Sequence, residues 1–280
     1  MHRRFSKQLA LTLSLMVFMC SCSNVFRGMS RQDSDEALYE DALKAMNSSD
    51  WDSAITKFQT LSATFLAQRT VRENYAGALA GKCGLIFMDY LNTISSSSPG
   101  GSVTTFQWLM NAFTQKIVNP SSCVLAETQI RSLGATPALR TTGQNLFLVI
   151  LSLVKIGTTL RNRADIDSTN SLGDGTTDAS FNACTASPSA ADVLTDAEIR
   201  EVITGLALAI ENSASLPSGA GIGTSLGTLG GVCGATCNKT DSSAVNASDI
   251  TTIRNLLATT ANTIGVGGQC PTTIPAACCP

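Results

Sequence analysis

Two groups of residues are spaced for chemistry. The first is a set of ten cysteines. Thiolates of this kind pair as disulfides in an oxidising compartment or, four at a time, hold a zinc ion. The second is an acidic stretch that contains Asp165, Asp167, Asn170, Asp174, Gly175 and Asp178; from Ala164 to Ile199 there are seven acidic residues and no Lys or Arg. Calcium takes six to eight oxygen ligands at a flexible site, and a glycine beside an aspartate permits the sharp turn that gathers them. Catalytic machinery is harder to find. The only histidine is His2, so the rest of the chain can build neither a Ser-His-Asp triad nor a histidine metal site. Serine and aspartate are plentiful, but no spacing singles one out, and a non-enzymatic role is expected.

The run Asp174-Gly175-Thr176-Thr177-Asp178, behind alternating Asp165 and Asp167, resembles calcium loops of the D-x-D-x-D-G-x-x-D kind. It departs from them where Asp167 and Asp174 stand seven positions apart instead of two. The resemblance implies a structural calcium ion on Asp165, Asp167, Asp174 and Asp178. Asp, Asn and Gly are also turn formers, and a solvated acidic loop accounts for the same residues.

The N-terminus reads as an export signal. Arg3, Arg4 and Lys7 form a basic region, and Leu9 to Met19 is an apolar run of 11 residues, shorter than the roughly 20 needed to span a bilayer. Cys20-Ser21-Cys22-Ser23 follows. These residues resemble the lipobox of bacterial lipoproteins, with Ser21 as the small residue before a lipidated Cys22; Met19 and Cys20 depart from the usual pattern. The resemblance implies diacylglycerol and acyl (palmitate-type) chains on Cys22. With Ser23 next, it implies sorting to the outer membrane, facing the periplasm. Ordinary cleavage after Cys22 is the alternative.

Removing residues 1–22 leaves eight cysteines: Cys83, Cys123, Cys184, Cys233, Cys237, Cys270, Cys278 and Cys279. An even number in an exported chain reads as disulfides, with about 105 possible pairings. The C-terminal five lie among Gly and Pro, where bridges would replace a buried core. No C-x-x-C motif is present, which argues against a thioredoxin-like role. Aromatics make up 5% of the chain and the net charge is −2, which disfavours a nucleic-acid reader. Without residues 1–22 there are 16 basic and 21 acidic residues.

Helical periodicity dominates from Ser34 onward. Residues 23–33 read as a tether. Asp33 or Ser34 can cap a first helix carrying Ala37, Leu38, Ala42, Ala45 and Met46 on one face; Asp50 caps a second, from Trp51 to about Phe65, with Ala54, Ile55, Phe58 and Leu61. A third is expected from Val71 to Thr93, and a fourth from about Val103 to Val118 to pair with it. Leu146 to Val154 marks a central core helix from Thr141 to about Leu160. Thr195 and Glu198 form a capping box for a helix reaching Ala214. Pro217 to Gly234 is expected to be a flexible linker or hairpin, and Ser248 to cap a last helix.

The segment NSSDWDSAITKFQTL (residues 47–61), with Ala42, Ala54 and Phe58 at its small and large packing positions, resembles the turn and second helix of a tetratricopeptide (TPR) repeat. Asp41 and Ala45 depart from that pattern, and no third copy follows. The expected fold is all-α: TPR-like helical hairpins packed into a helical array over residues 34–214, then a loop-rich, disulfide-stapled Gly/Cys-rich region (215–280) with one helix. The resemblance implies a scaffold that docks an envelope protein or peptide, with Trp51 and Tyr75 as contact residues. A lipoprotein accessory binding calcium or a small solute is the alternative, and a hydrolase with an unmarked site a third reading.

Overall fold

The computed structural model describes residues 33–96, 99, 103–166, 172–185, 192–215, 222–259, 264–267 and 279. Lipidation candidate Cys22, metal candidate Asp167 and cysteines 270 and 278 lie outside them.

Eleven α-helices and no β-strand occur among the described residues. They are α1 (Asp35–Asn47), α2 (Trp51–Thr60), α3 (Ala63–Leu66), α4 (Arg69–Cys83), α5 (Phe87–Ser96), α6 (Thr105–Asn111), α7 (Pro120–Arg131), α8 (Thr142–Ala164), α9 (Asp196–Glu211), α10 (Ile222–Cys233) and α11 (Ala247–Ala258).

α1 and α2 form an antiparallel hairpin. The Ser34 hydroxyl accepts from the Ala37 amide, and Asp50 accepts from the Ser53 amide, satisfying N–H groups that have no partner inside the helix. The register is visible in cross-pairs. Lys57 Nζ donates to Asp41 at 3.3 Å, and the Ser62 amide donates to Asp35 at 2.8 Å. Ala42 and Ala54 are fully buried at the crossing, where small side chains let two helices approach closely. Phe58 fills the space beyond and stacks on Tyr75 of α4, ring centres 5.2 Å apart.

The expected third helix is two. Gly84 ends α4 at φ +120°, a backbone conformation that glycine alone adopts without strain, and α5 starts again at Phe87. The expected pairing also changes. α4 packs on α7, a helix that hydrophobic periodicity left unread, while α6 packs on α8. Antiparallel α4 and α7 are joined by the Cys83–Cys123 disulfide at one end and by Arg72 to Ser132 at the other. The signal for α7 was present in residue types. Asn119 caps, Pro120 takes the first helical position, and Cys123, Ala126, Glu127 and Ile130 repeat at helical spacing.

α8 is the central helix. It is long and apolar enough to cross a membrane, but 83% of its most apolar stretch is buried inside the fold, as a core helix would be. α7 and α9 both pack on it. α6 crosses at Gly157, where a β-carbon would meet the Leu109 carbonyl oxygen at 2.4 Å. The Thr195–Glu198 capping box starts α9 as its sequence implies.

Two C-terminal expectations are corrected. Within the described part of the glycine-rich segment, Ile222–Cys233 forms α10, packed on α9; burial of Leu226 and Leu229 offsets the helix-weakening effect of glycine. The cap of α11 is Asn246, not Ser248, because Asn246 and Asp249 make the reciprocal capping box. The described cysteines pair as Cys83–Cys123, Cys184–Cys279 and Cys233–Cys237, with Cα separations of 5.3, 5.0 and 5.6 Å. The bridges thus reach beyond the C-terminal region. Cys279 is tied to the loop after α8, and Cys83–Cys123 lies wholly in the core.

Candidate functional site: a cleft beside the α1–α2 turn

An open cleft of about 690 Å³ lies between the α1–α2 turn, the C-terminal end of α4 and the loop joining α6 to α7. Asp50, Trp51, Lys82, Ile86, Lys116 and Ile117 are among its lining residues. Its rim is apolar and unusually bare. Ile117 is 84% exposed and Ile86 50%; Phe87 and Met88, next in the chain, are 42% and 64% exposed. Exposure of large apolar side chains beside one cleft makes it the candidate docking surface.

The local backbone is committed to this shape. Ser49 (φ 58°) and Gln115 (φ 57°) are the only non-glycine residues with positive φ among those described, and both line the cleft. Such conformations cost free energy and persist only where the surroundings enforce them. Ser49 is held by the turn itself, since its amide donates to the Met46 carbonyl at 2.9 Å and the Asp50 amide to the Ala45 carbonyl at 2.9 Å. The Gln115 amide donates to the Leu172 carbonyl at 2.9 Å, and its side-chain amide donates to the Gly173 carbonyl at 2.6 Å. Four residues on, the Asn119 amide donates to the Cys83 carbonyl at 3.1 Å. Tyr90 of α5 stacks on Phe113, ring centres 5.7 Å apart, fixing the exposed 86–88 segment over the same loop.

The acidic stretch acts as a brace behind this cleft. Asp165 is fully buried, and its two carboxylate oxygens accept from the amides of Asp174 (2.9 Å) and Gly175 (3.0 Å). Burial pushes the Asp165 carboxyl above its ordinary range, against these amides, which pull it down. Burial likewise lowers the neighbouring Arg161 guanidinium; its Nε donates to the Leu172 carbonyl at 3.1 Å, the same carbonyl that holds Gln115. Asp178 accepts from the Ile166 amide at 2.7 Å, and Asp174 from the Thr176 amide at 2.7 Å. The described members of the expected calcium set therefore cap backbone N–H groups. Among the described residues no three His, Cys, Asp or Glu side chains are grouped to hold a metal.

The two expected contact residues separate. Trp51 borders the cleft, half-buried against Gly81 of α4. Tyr75 does not: it is 7% exposed, and its ring stacks on Phe58 in the core. Helical periodicity places Tyr75 on the packed face, so it cannot be a contact residue for a partner.

Pattern reading missed a second constellation. Lys155, 1% exposed, donates to Glu127 (2.5 Å), Glu201 (2.9 Å) and the Thr204 hydroxyl (2.9 Å), linking α8 to α7 and α9. Arg131 adds a second cation on Glu127 at 3.1 Å. The Lys155 ammonium has three acceptors and both Glu127 oxygens have a cation, which is how a buried charge is tolerated.

No protein-family model matches this chain, and neither a curated protein nor a solved structure matches it.

Proposed function

We propose that this chain is a non-enzymatic, lipid-anchored scaffold of the bacterial envelope, moored to the outer membrane through Cys22 and docking another envelope protein from the periplasmic side. The observation that carries the reading is the cleft with the bare apolar side chains of Ile86 and Ile117 on its lining and the exposed Phe87 and Met88 next in the chain. Three further features support it. The basic-then-apolar N-terminus ahead of Cys22 fits export and lipidation. All six described cysteines are paired, as suits an oxidising compartment. The α1–α2 hairpin fits a TPR-like unit, a helix pair commonly used to bind peptide segments.

The mooring also suits the task. The tether joins the described fold at the start of α1, and the cleft lies by the turn at the end of that helix. A 13-residue helix is roughly 20 Å long, which separates the tethered end of α1 from the cleft.

A small-solute accessory is the second reading. It is favoured by the cleft's volume, which falls within the range of small-molecule sites, although such sites are usually more enclosed. One experiment separates the two. A photo-crosslinking amino acid at position 117 in intact cells should trap a discrete envelope protein on the scaffold reading. Absence of any adduct, together with a thermal shift from a small-solute panel, would replace it with the accessory reading. A lipoprotein signal-peptidase inhibitor tests the anchor, since unchanged processing rejects lipidation at Cys22.

A further inference from the structure

Resting on the scaffold reading, we propose that the cleft takes a short apolar peptide segment of its partner that pairs main chain to main chain with Ile117 and Val118 and carries an acidic residue for Lys116 and a basic one for Asp50.

The first support is the backbone of the 115–119 strap. It is pinned at both ends, Gln115 to Leu172 and Gly173, and Asn119 to Cys83. Between the pins, the N–H and C=O groups of Ile117 and Val118 have no hydrogen-bond partner among the described residues. A pre-positioned segment with free main-chain groups beside apolar side chains has what an added peptide strand needs. Main-chain bonds supply affinity, and alternate side chains enter the apolar surface. Because the strap is already held, little ordering entropy opposes binding.

The second support is charge. Four charged residues line the cleft: Asp50, Asp52, Lys82 and Lys116. Lys82 and Asp52 pair with each other. Asp50 accepts only from the Ser53 amide, and Lys116 lies 6.0 Å from the Phe113 ring centre. Neither makes an ion pair among the described residues. One unpaired charge of each sign fits a peptide with complementary ends, and those charges would set its direction. A membrane surface fits less well, because the cleft is concave and the exposed Asp50 and Asp52 repel anionic headgroups.

The test uses full-length chain in detergent micelles and a displayed library of random heptapeptides. Selected peptides should be apolar at the centre with an acidic and a basic residue at opposite ends. Ile117→Asp, at an exposed position, should abolish their binding without lowering the melting temperature. Methylating the central main-chain nitrogens of a selected peptide should weaken it about tenfold or more, the equivalent of losing one or two hydrogen bonds. Lys116→Glu should select peptides with the acidic residue replaced by a basic one. The proposal is overturned if N-methylated peptides bind equally well, if no selected peptide is sensitive to Ile117→Asp, or if the patch instead drives binding to phosphatidylglycerol vesicles that Met88→Asp removes. The scaffold reading fails separately. Peptides that behave as proposed while position 117 traps no envelope protein in cells would leave the binding mode standing without that role; a trapped partner with N-methyl-insensitive peptides would do the reverse.

Discussion

The first helices and the last are held together by different physics. Across residues 33–96 no charged residue is buried as a whole among those described, and the buried Tyr90 hydroxyl and Arg72 Nε have no hydrogen-bond partner. Alanines at the helix crossings and the contacts of Tyr39, Phe58, Phe65 and Tyr75 do the work through non-directional apolar burial. From α7 onward, Arg140, Lys155, Arg161 and Arg254 are all buried, each with hydrogen-bond partners. Arg254 alone donates to the carbonyls of Ala183, Thr185 and Leu194 and to Asp196, tying the start of α9 to α11. Apolar packing tolerates substitutions that keep volume, whereas a buried cation demands its own partners in place. The second half should therefore be brittle where the first is forgiving.

Replacing Lys155 by Met is the sharpest way to break that contrast. It leaves the nearly buried Glu127 without its main cation and Glu201 without its partner, and should cost about 3–5 kcal/mol of stability in urea unfolding. Phe58→Leu, at an equally buried position of the first half, should cost less than about 1.5 kcal/mol. Equal losses from the two variants would mean the halves do not differ as argued.

The joint between the halves comes next. Cys83–Cys123 links α4 to α7 across 40 positions of sequence. Changing both cysteines to Ala should lower stability by about 2–4 kcal/mol, and reductant, which also opens Cys184–Cys279 and Cys233–Cys237, should lower the wild-type melting temperature by more than the double variant loses. If the halves are truly distinct, calorimetry of the double variant should show one broad or two separate transitions where the wild type shows one.

This contrast also explains what the residue types reveal and what they hide. The α1–α2 hairpin was legible because its turn, its caps at Ser34 and Asp50, and the spacing of Ala42, Ala54 and Phe58 all express one apolar face. The α9 capping box was legible for the same local reason. The pairing of α4 with α7 was not, since it depends on a glycine stop at Gly84 and on which of two later helices wins α4, and neither choice is local. Lys155, Glu127 and Glu201 come from three separate helices, and nothing in their neighbours marks them as partners. The cleft was half legible. Trp51, the expected contact residue, lines it, but no local pattern marks Ile86, Met88 and Ile117 as residues the fold leaves outside. The aspartates of the acidic stretch suggested an ion; in the structure Asp165, Asp174 and Asp178 accept from backbone amides of the same stretch.

A smaller effect tests how tight the first half is. A β-carbon at Gly81 would lie 2.6 Å from the Trp51 indole. Gly81→Ala should push that ring into the cleft and cost about 1–3 kcal/mol. Trp51→Ala in the same chain should recover part of the loss, and this non-additivity in a double-mutant cycle is the signature of a steric cause. A shift in tryptophan fluorescence on Gly81→Ala should accompany it.

The smallest effect lies at the far end of the brittle half and is read in its pH dependence. Burial works to raise the Asp249 carboxyl, but the Lys239 ammonium, the Asn246 amide and the Thr236 hydroxyl outweigh it and hold the carboxyl below its ordinary range. A depressed carboxyl favours the folded state wherever it is ionised. Its contribution is complete above the ordinary carboxylate range, near pH 4, and disappears as acid protonates it in the fold. Asp165 has the opposite sign, because burial raises it and its protonation favours the fold as pH falls. Asp249→Asn should therefore be less stable than wild type at pH 7, with the gap closing below about pH 4. The same titration of Asp165→Asn should show the wild type losing ground to the variant as pH rises through the carboxylate range. Urea midpoints between pH 2 and 7 measure both, and parallel curves for wild type and Asp249→Asn would show that the α11 capping box is held by shape alone.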